Sequence, residues 1–598
     1  MRHLLSSLVI ACILISCTKP KEKIPPLMSA KNTSGKLIVY QLMTRLFGNK
    51  NSTNKTYGTK EENGVGKFND INGQALEGIK SLGVTHIWYT GVIEHALLTD
   101  YSSYNILPDD PDVVKGLAGS PYAIKDYYDV NPDLAVVIPN RMKEFEELIK
   151  RTHDHDLKVL IDFVPNHVAR RYKSDAKPAG VPDLGAADST NLQFRPENNF
   201  YYIPGQPFVP PRPGAGKALG LIVRDGAFEE SPAKATGNNV FAPNPSVTDW
   251  YETVKLNYGV DYLNDRRHYF DPVPDTWIKM KDILVFWASK KVDGFRCDMA
   301  EMVPVEFWNW AIPQVKAVNP EVIFIAEIYN PDAYRAYIDK GRFSYLYDKV
   351  KLYDTLRLLT AGERSTLDID AIQSSLNGIN DKMLHFMENH DEQRIASRFF
   401  AGDPWKGIPA MVVSATIDRG PVMIYSGQEV GEAGAGNEGF QGDDGRTTIY
   451  DYWGMPEHQK WMAGGRFDGD SLSAEQKQLR QVYTDLLTLS ITSAAITVGD
   501  YKDLTAHNHR IGNFNDKVHA FVRYTDEEKL LIVTNFNPTE QNIKVQLPKD
   551  VWALMGLDET ADYIARDLLW REAEVGFNKE FTFELKCKPF SSFIFKIK

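Results

Sequence analysis

Cysteine is scarce: the chain has four in 598 residues. Cys12 and Cys17 lie near the N-terminus, which leaves Cys297 and Cys587 in the body of the chain. That is too few for a disulfide framework, so two buried free thiols are expected. Positive charge is not in excess either. Lys and Arg number 68 against 79 Asp and Glu, a formal net charge of -11. Phosphate binding needs a basic face, so nucleic acid is excluded as a partner. No Gly-x-Gly-x-x-Gly follows the first apolar strand, which argues against a dinucleotide fold. The Gly-rich stretch 431–439 lacks Gly-Lys-Ser/Thr and reads as a mobile loop, not a phosphate cradle.

The apolar run over residues 4–15 is too short for a typical membrane span. It ends Leu14-Ile-Ser-Cys17, which resembles the lipobox of bacterial lipoproteins. Residues 1–16 are thus expected to be a signal peptide, with lipidation at Cys17 and a lipid-anchored linker over 17–35. Membrane contact is expected only through that anchor. The residues after Cys17, Thr18-Lys-Pro-Lys-Glu-Lys23, are not the acidic run of a surface export signal, which points to the periplasmic side of the outer membrane.

Beyond the linker the balance is that of a globular protein: 43% hydrophobic and 25% charged, with aromatics at 11%. The length implies two or three domains. Apolar runs of strand length occur at 36–42, 84–89, 157–163, 292–297, 322–326, 343–347, 383–387 and 421–425. Between most of them lie helical patterns. Residues 71–82 carry Leu76, Ile79 and Leu82 and stop at Gly83. Residues 141–155 carry Phe145, Leu148 and Ile149. A third helix, capped by Asp275, presents Trp277, Met280, Ile283, Leu284 and Trp287. Eight strand–helix units favour a closed (β/α)8 TIM barrel over 36–500. The long Pro-, Gly- and Asn-rich interval after the third strand reads as an inserted domain, about 168–255. Past residue 500 short β runs follow one another with few helices, so 501–598 is expected to be an antiparallel β-sandwich.

In a parallel barrel the reactive groups sit at the C-terminal ends of the strands. Those ends read Asp162-Phe-Val-Pro-Asn166-His167, Arg296-Cys-Asp298, Ala326-Glu327 and Glu388-Asn-His390-Asp391. Single carboxylates there could be helix caps; four clusters in a row are hard to explain that way. Glycoside hydrolysis needs two carboxylates across the bond, one ionised and one protonated. Arg296, two residues before Asp298, is expected to lower the pKa of Asp298. The apolar run before Glu327 is expected to bury it and hold its proton. His167, His390 and Asp391 can grip sugar hydroxyls.

These four segments, in this order, resemble the four motifs of the α-amylase superfamily, glycoside hydrolase family 13. The resemblance spans nearly all of the chain from residue 36 to 598. It implies Asp298 as nucleophile, Glu327 as general acid/base and Asp391 as transition-state stabiliser. Arg296, His167 and His390 would contact the sugar, with Asp162 supporting them. Tyr122 is similar to the family's stacking tyrosine. Asn166 matches a calcium ligand of the family, so calcium is implied, and no organic cofactor. Val254-Lys-Leu-Asn-Tyr258 resembles the family's fifth motif, with Val181-Pro-Asp-Leu184 a rival.

The sequence departs from the family at Glu301 and Met302, where many starch-degrading members carry Lys-His. The implied substrate is an α-1,4-glucan or maltooligosaccharide. Endo or exo action, and hydrolysis or transfer to another sugar, stay open, because all use the same carboxylates. A non-catalytic glycan-binding barrel would typically lose one of them, and all three are present.

Overall fold

The computed structural model describes residues 35–211, 225–437, 439–440, 442–578 and 580–598. The expected signal, Cys17 and nearly all of the linker lie outside the described residues. Eight parallel strands close a barrel: β1 Ile38–Met43, β2 His86–Thr90, β3 Lys158–Phe163, β4 Gly294–Cys297, β5 Ile323–Ala326, β6 Tyr345–Tyr347, β7 Met383–Phe386 and β8 Val422–Tyr425. Each comes from one of the eight apolar runs, and neighbours in space follow chain order. The strands are mostly apolar because both faces are covered, one by the barrel interior and one by helices.

The helices keep their expected apolar faces but shift at their ends. The first is Gly73–Lys80, started by Asn72, whose side chain accepts from the Ala75 N–H at 2.9 Å. Gly83 closes this unit at a φ of 89°, which favours glycine. The second is Arg141–His153. The third, Asp275–Ser289, corrects an expectation: Asp275 is its first helical residue, Pro274 holds the cap position, and no side chain caps the helix. The Asp275 carboxylate instead pairs with Lys279 at 2.8 Å, one helical turn on.

Register sets the site. Arg296 on β4 lies beside Asp162 on β3 and Ile325 on β5. Side chains alternate across a strand, so Arg296 and Asp298 share the inward face with Asp162 and Glu327. Gly294 permits this approach. A Cβ there would sit 2.6 Å from Ile323 Cγ1 and 2.7 Å from Leu160 Cδ2.

The insertion begins and ends in one antiparallel pair, His167–Ala169 against Thr253–Lys255. Between them the described residues form loops and the two-residue pair Tyr202–Ile203 with Ala233–Lys234. The C-terminal domain is a β-sandwich of a six-stranded antiparallel sheet and the pair Gln541–Gln546 with Thr582–Cys587. Val522, Leu531, Val545, Phe583 and Phe595 lie in its core. Three of its strands, Asp500–Asp503, Ile564–Asp567 and Glu574–Gly576, were not foreseen; they are short and polar, at or near the sheet's edges. Cys297 and Cys587 are free and buried, as expected. Among the described residues no helix is long and apolar enough to cross a membrane.

Candidate active site

The centre of the barrel mouth is Arg296, which is buried. Its guanidinium lies 2.9 Å from Asp298 Oδ1, 2.7 Å from Glu327 Oε2 and 3.4 Å from Asp162 Oδ1. The rings of Trp88, Tyr122 and Tyr347 surround it at 5.2, 5.3 and 5.5 Å. This is a cation held by π faces and by three carboxylates at once.

Asp298 does not behave as its arginine neighbour alone suggested. Burial pushes its carboxyl well above the usual carboxylate range, and Glu327, Asp162 and Asp391 add to this against the pull of Arg296. One guanidinium cannot offset that many acids. Asp298 accepts from Arg296 through Oδ1, and its Oδ2 lies 4.0 Å from His167 Nε2. His167 is neutral, its pKa lowered by burial and by Lys255 and Lys115 to about 3.

The apolar run before Glu327 does bury it, but the carboxylate faces donors and not an apolar wall. Besides Arg296, Glu327 Oε2 accepts the Met299 N–H at 2.8 Å. Met299 sits in the left-handed region, φ 42°, directly after Asp298. That strained turn aims its N–H at Glu327. Glu327 Oε1 accepts the Tyr329 hydroxyl at 2.6 Å. Burial and the adjacent Glu327 hold the Tyr329 phenol well above its ordinary pKa, so it stays a donor.

On the opposite side Tyr122 Oη and His390 Nε2 are 2.5 Å apart, and His390 Nε2 is 3.0 Å from Asp391 Oδ2. Gln41, from β1, donates to His390 Nδ1 at 2.8 Å. That bond leaves the ring proton on Nε2, directed at Asp391 and Tyr122. Asp391 is a third exposed, and its pKa is lowered: His390, Arg296 and Arg446 outweigh burial. Asp162 accepts the Trp88 indole N–H at 3.0 Å. The structure therefore gathers Tyr122, Asp162, His167, Arg296, Asp298, Glu327, His390 and Asp391 in one cluster. Gln41, Trp88, Met299, Tyr329 and Tyr347 belong to it as well. A lone polar residue in an apolar strand was the available signal for Gln41; a backbone N–H such as that of Met299 leaves none.

Asn166 does not fit a calcium ion. Its Oδ1 accepts from the Lys255 ammonium, and its Nδ2 donates to the Gly237 carbonyl at 2.8 Å. Lys255 also points at the Met302 carbonyl, 3.3 Å away. An internal ammonium thus takes up the oxygens that a metal ion would need. Burial, with Arg266 adding to it, lowers the Lys255 pKa to about 7. Glu301 bonds the Asn330 N–H at 3.0 Å and does not enter the cluster.

A cavity of about 830 Å³, lined by Asp418, Arg419, Tyr501 and Arg523, lies between the start of β8 and the C-terminal domain. It shares no residue with this cluster.

Comparison with known proteins agrees with the geometry. The chain matches the family model for the α-amylase catalytic domain over residues 41–455 and that for the α-amylase C-terminal all-beta domain over 511–598. Alpha-amylase 3 of Dictyoglomus thermophilum is 24% identical over 499 residues, covering 79% of this chain and 82% of its own. Alpha-amylase MalA of Haloarcula japonica is 22% identical over 508 residues, 83% of this chain and 55% of its own. A maltogenic α-amylase from Thermotoga neapolitana superposes with a TM-score of 0.58 at 18% identity, covering 95% of this chain and 99% of its own. An α-amylase from Geobacillus thermoleovorans, complexed with acarbose, gives 0.56 at 17% identity, covering 94% and 98%. At these identities the structural likeness shows a shared fold.

Proposed function

The chain belongs to the α-amylase family, and from that premise we propose that it is a retaining hydrolase of α-1,4-glucosidic bonds in starch, glycogen or maltooligosaccharides. The observation that carries this reading is one guanidinium ion-paired with both Asp298 and Glu327. Two carboxylates on adjacent nitrogens of one arginine stand close together. That suits a retaining pair, about 5–5.5 Å apart, better than an inverting pair at about 6.5–9.5 Å.

In this reading Asp298 attacks the anomeric carbon through Oδ2 while Oδ1 accepts from Arg296. The leaving oxygen takes the proton carried by Glu327 Oε1, the oxygen beside Tyr329. A glycosyl–Asp298 ester results. Water then gives a proton to Glu327 and its oxygen to the anomeric carbon, which frees Asp298. Asp391, His390 and Tyr122 hold the hydroxyls of the reacting sugar, and Arg296 offsets charge on whichever carboxylate is ionised. The scheme needs one carboxylate ionised and the other protonated at the same time, so a bell-shaped pH–rate profile is expected.

Maltoheptaose separates hydrolysis from transfer. Products shorter than the substrate are expected. Chains longer than the substrate would replace this reading with transglycosylation, and release of glucose alone would make it an exo-acting α-glucosidase. The segment Leu14-Ile-Ser-Cys17 supports a lipid anchor at Cys17, and the lack of an acidic run in Thr18-Lys-Pro-Lys-Glu-Lys23 supports the periplasmic side of the outer membrane. Radiolabelled palmitate should enter the wild-type chain and not Cys17→Ala; label in both would remove the anchor.

A further inference from the structure

The strand pair beyond β2 holds carboxylates that the reaction does not use. Glu94, on Ile93–His95, lies opposite Asp126 on Ile124–Val130. Asp129 is three residues further along that strand, where the pairing is irregular, and Asp175 comes from the start of the insertion. One oxygen from each of Glu94, Asp129 and Asp175 lies within 4.8 Å of the others. Glu94 is 1% exposed, and neither of its oxygens accepts a hydrogen bond.

The cations nearby do not satisfy this set. Lys125 Nζ is 3.8 Å from Glu94, but it is drawn to Asp109 at 3.1 Å and to the Leu107 carbonyl. Arg141 pairs with Asp129 at 2.5 Å and lies 3.6 Å from Asp175. Asp126 is met by the Tyr128, Asp175 and Ala176 N–H groups, which leaves Glu94, Asp129 and Asp175 to share Arg141 and a lysine already committed elsewhere. A buried carboxylate without a donor must keep a proton or take a cation.

We propose that Glu94, Asp129 and Asp175 form a calcium site, apart from Asn166, that pins the start of the insertion to the strand behind Tyr122. The donors are all hard oxygens, with no nitrogen or sulfur to favour zinc. Oxygens that all lie within 4.8 Å of one another can share one ion, and an uneven set of carboxylates suits the flexible coordination of calcium better than the near-ideal octahedron that magnesium demands. The site would join the two segments that deliver Tyr122 and His167 to the barrel mouth, bracing the cluster without touching substrate.

The test is calorimetric titration and thermal melting of the whole chain, stripped with chelator, against calcium and against magnesium. Calcium is expected to bind at one site and raise the melting temperature, with magnesium weaker. Glu94→Gln should remove both effects while keeping the fold. Asp175→Asn, at an exposed position, should weaken calcium at least about tenfold. Three results would overturn the proposal: no calcium effect in the wild type, an equal effect in Glu94→Gln, or a Glu94→Gln chain more stable than wild type with no calcium response in either, which means that Glu94 keeps a proton.

Discussion

Two clusters of buried charge flank the barrel wall, and they are built in opposite ways. At the mouth, Arg296 serves Asp162, Asp298 and Glu327. On β7, His385 faces the other side of the sheet from Phe386 and serves Asp348 at 3.4 Å and Asp418 at 2.9 Å. The second cluster is balanced. Burial works against the His385 charge, but Asp418 and Asp348 outweigh it and hold the pKa up to about 9. Asp418 is lowered in turn, as His385 and Lys36 outweigh its burial. Its oxygens are met by Gly420 N–H at 2.8 Å and by His385. The mouth is unbalanced: Asp298 is raised, and its Oδ2 lies 4.0 Å from a neutral histidine. Charge compensated by its neighbours stabilises a fold. Charge left short of partners costs stability and is free to react.

The largest effect that would sharpen this contrast is on rate. Asp298→Asn and Glu327→Gln should each lower kcat by about 10⁴-fold or more, measured by sugar release from maltoheptaose. Asp298→Asn should also melt at or above the wild-type temperature, since it removes one of several crowded charges. A clear fall in its melting temperature would erase the distinction between the clusters. His385→Leu should do the reverse. It leaves Asp348 and Asp418 buried without their partner, at a cost of about 3–5 kcal/mol, with kcat unchanged in the folded fraction. Urea denaturation would show it.

The His385 contribution has a defined pH window. Its pKa is raised on folding, so the added stability is full below pH 6.5 and is lost as pH rises through about 9. The wild type should therefore lose stability over that window more steeply than His385→Leu; parallel curves would contradict this.

Smaller again is Arg296→Lys. A single ammonium cannot bridge both carboxylates, so kcat/KM should fall by about 10²–10³-fold with little change in unfolding free energy. The smallest is a shift of profile. Asp162→Asn removes a charge that raises Asp298, so the acidic limb of kcat/KM should move to lower pH. A limb that stays in place would remove Asp162 from the electrostatics of the pair.

Much of this was legible in the chain because it is local. Strands such as 157–163 and 292–297 are short apolar runs, and alternation carries the side-chain direction on to Asp162, Arg296, Asp298 and Glu327. The helix at Asp275 was legible in its stripe but not in its cap, since Pro274 and Asp275 satisfy different parts of the same pattern. The insertion was legible as an interval and little more, because its described strands are two or three residues long. Lys255 was visible as a residue of a motif; that its ammonium meets Asn166 and Met302 was not.

By itself, then, the sequence determined the eight-stranded barrel, the β-sandwich after it, and the carboxylates at the strand ends, because periodicity and strand direction act over a few residues. The tertiary structure decided how those carboxylates are poised. Asp298 is raised and not lowered, Glu327 is met by Met299 and Tyr329, Asn166 is paired with a lysine, and Glu94 is left without a donor. Each depends on desolvation and on charges brought together from distant parts of the chain, and Coulomb forces in a buried site answer to distance in space, not in sequence.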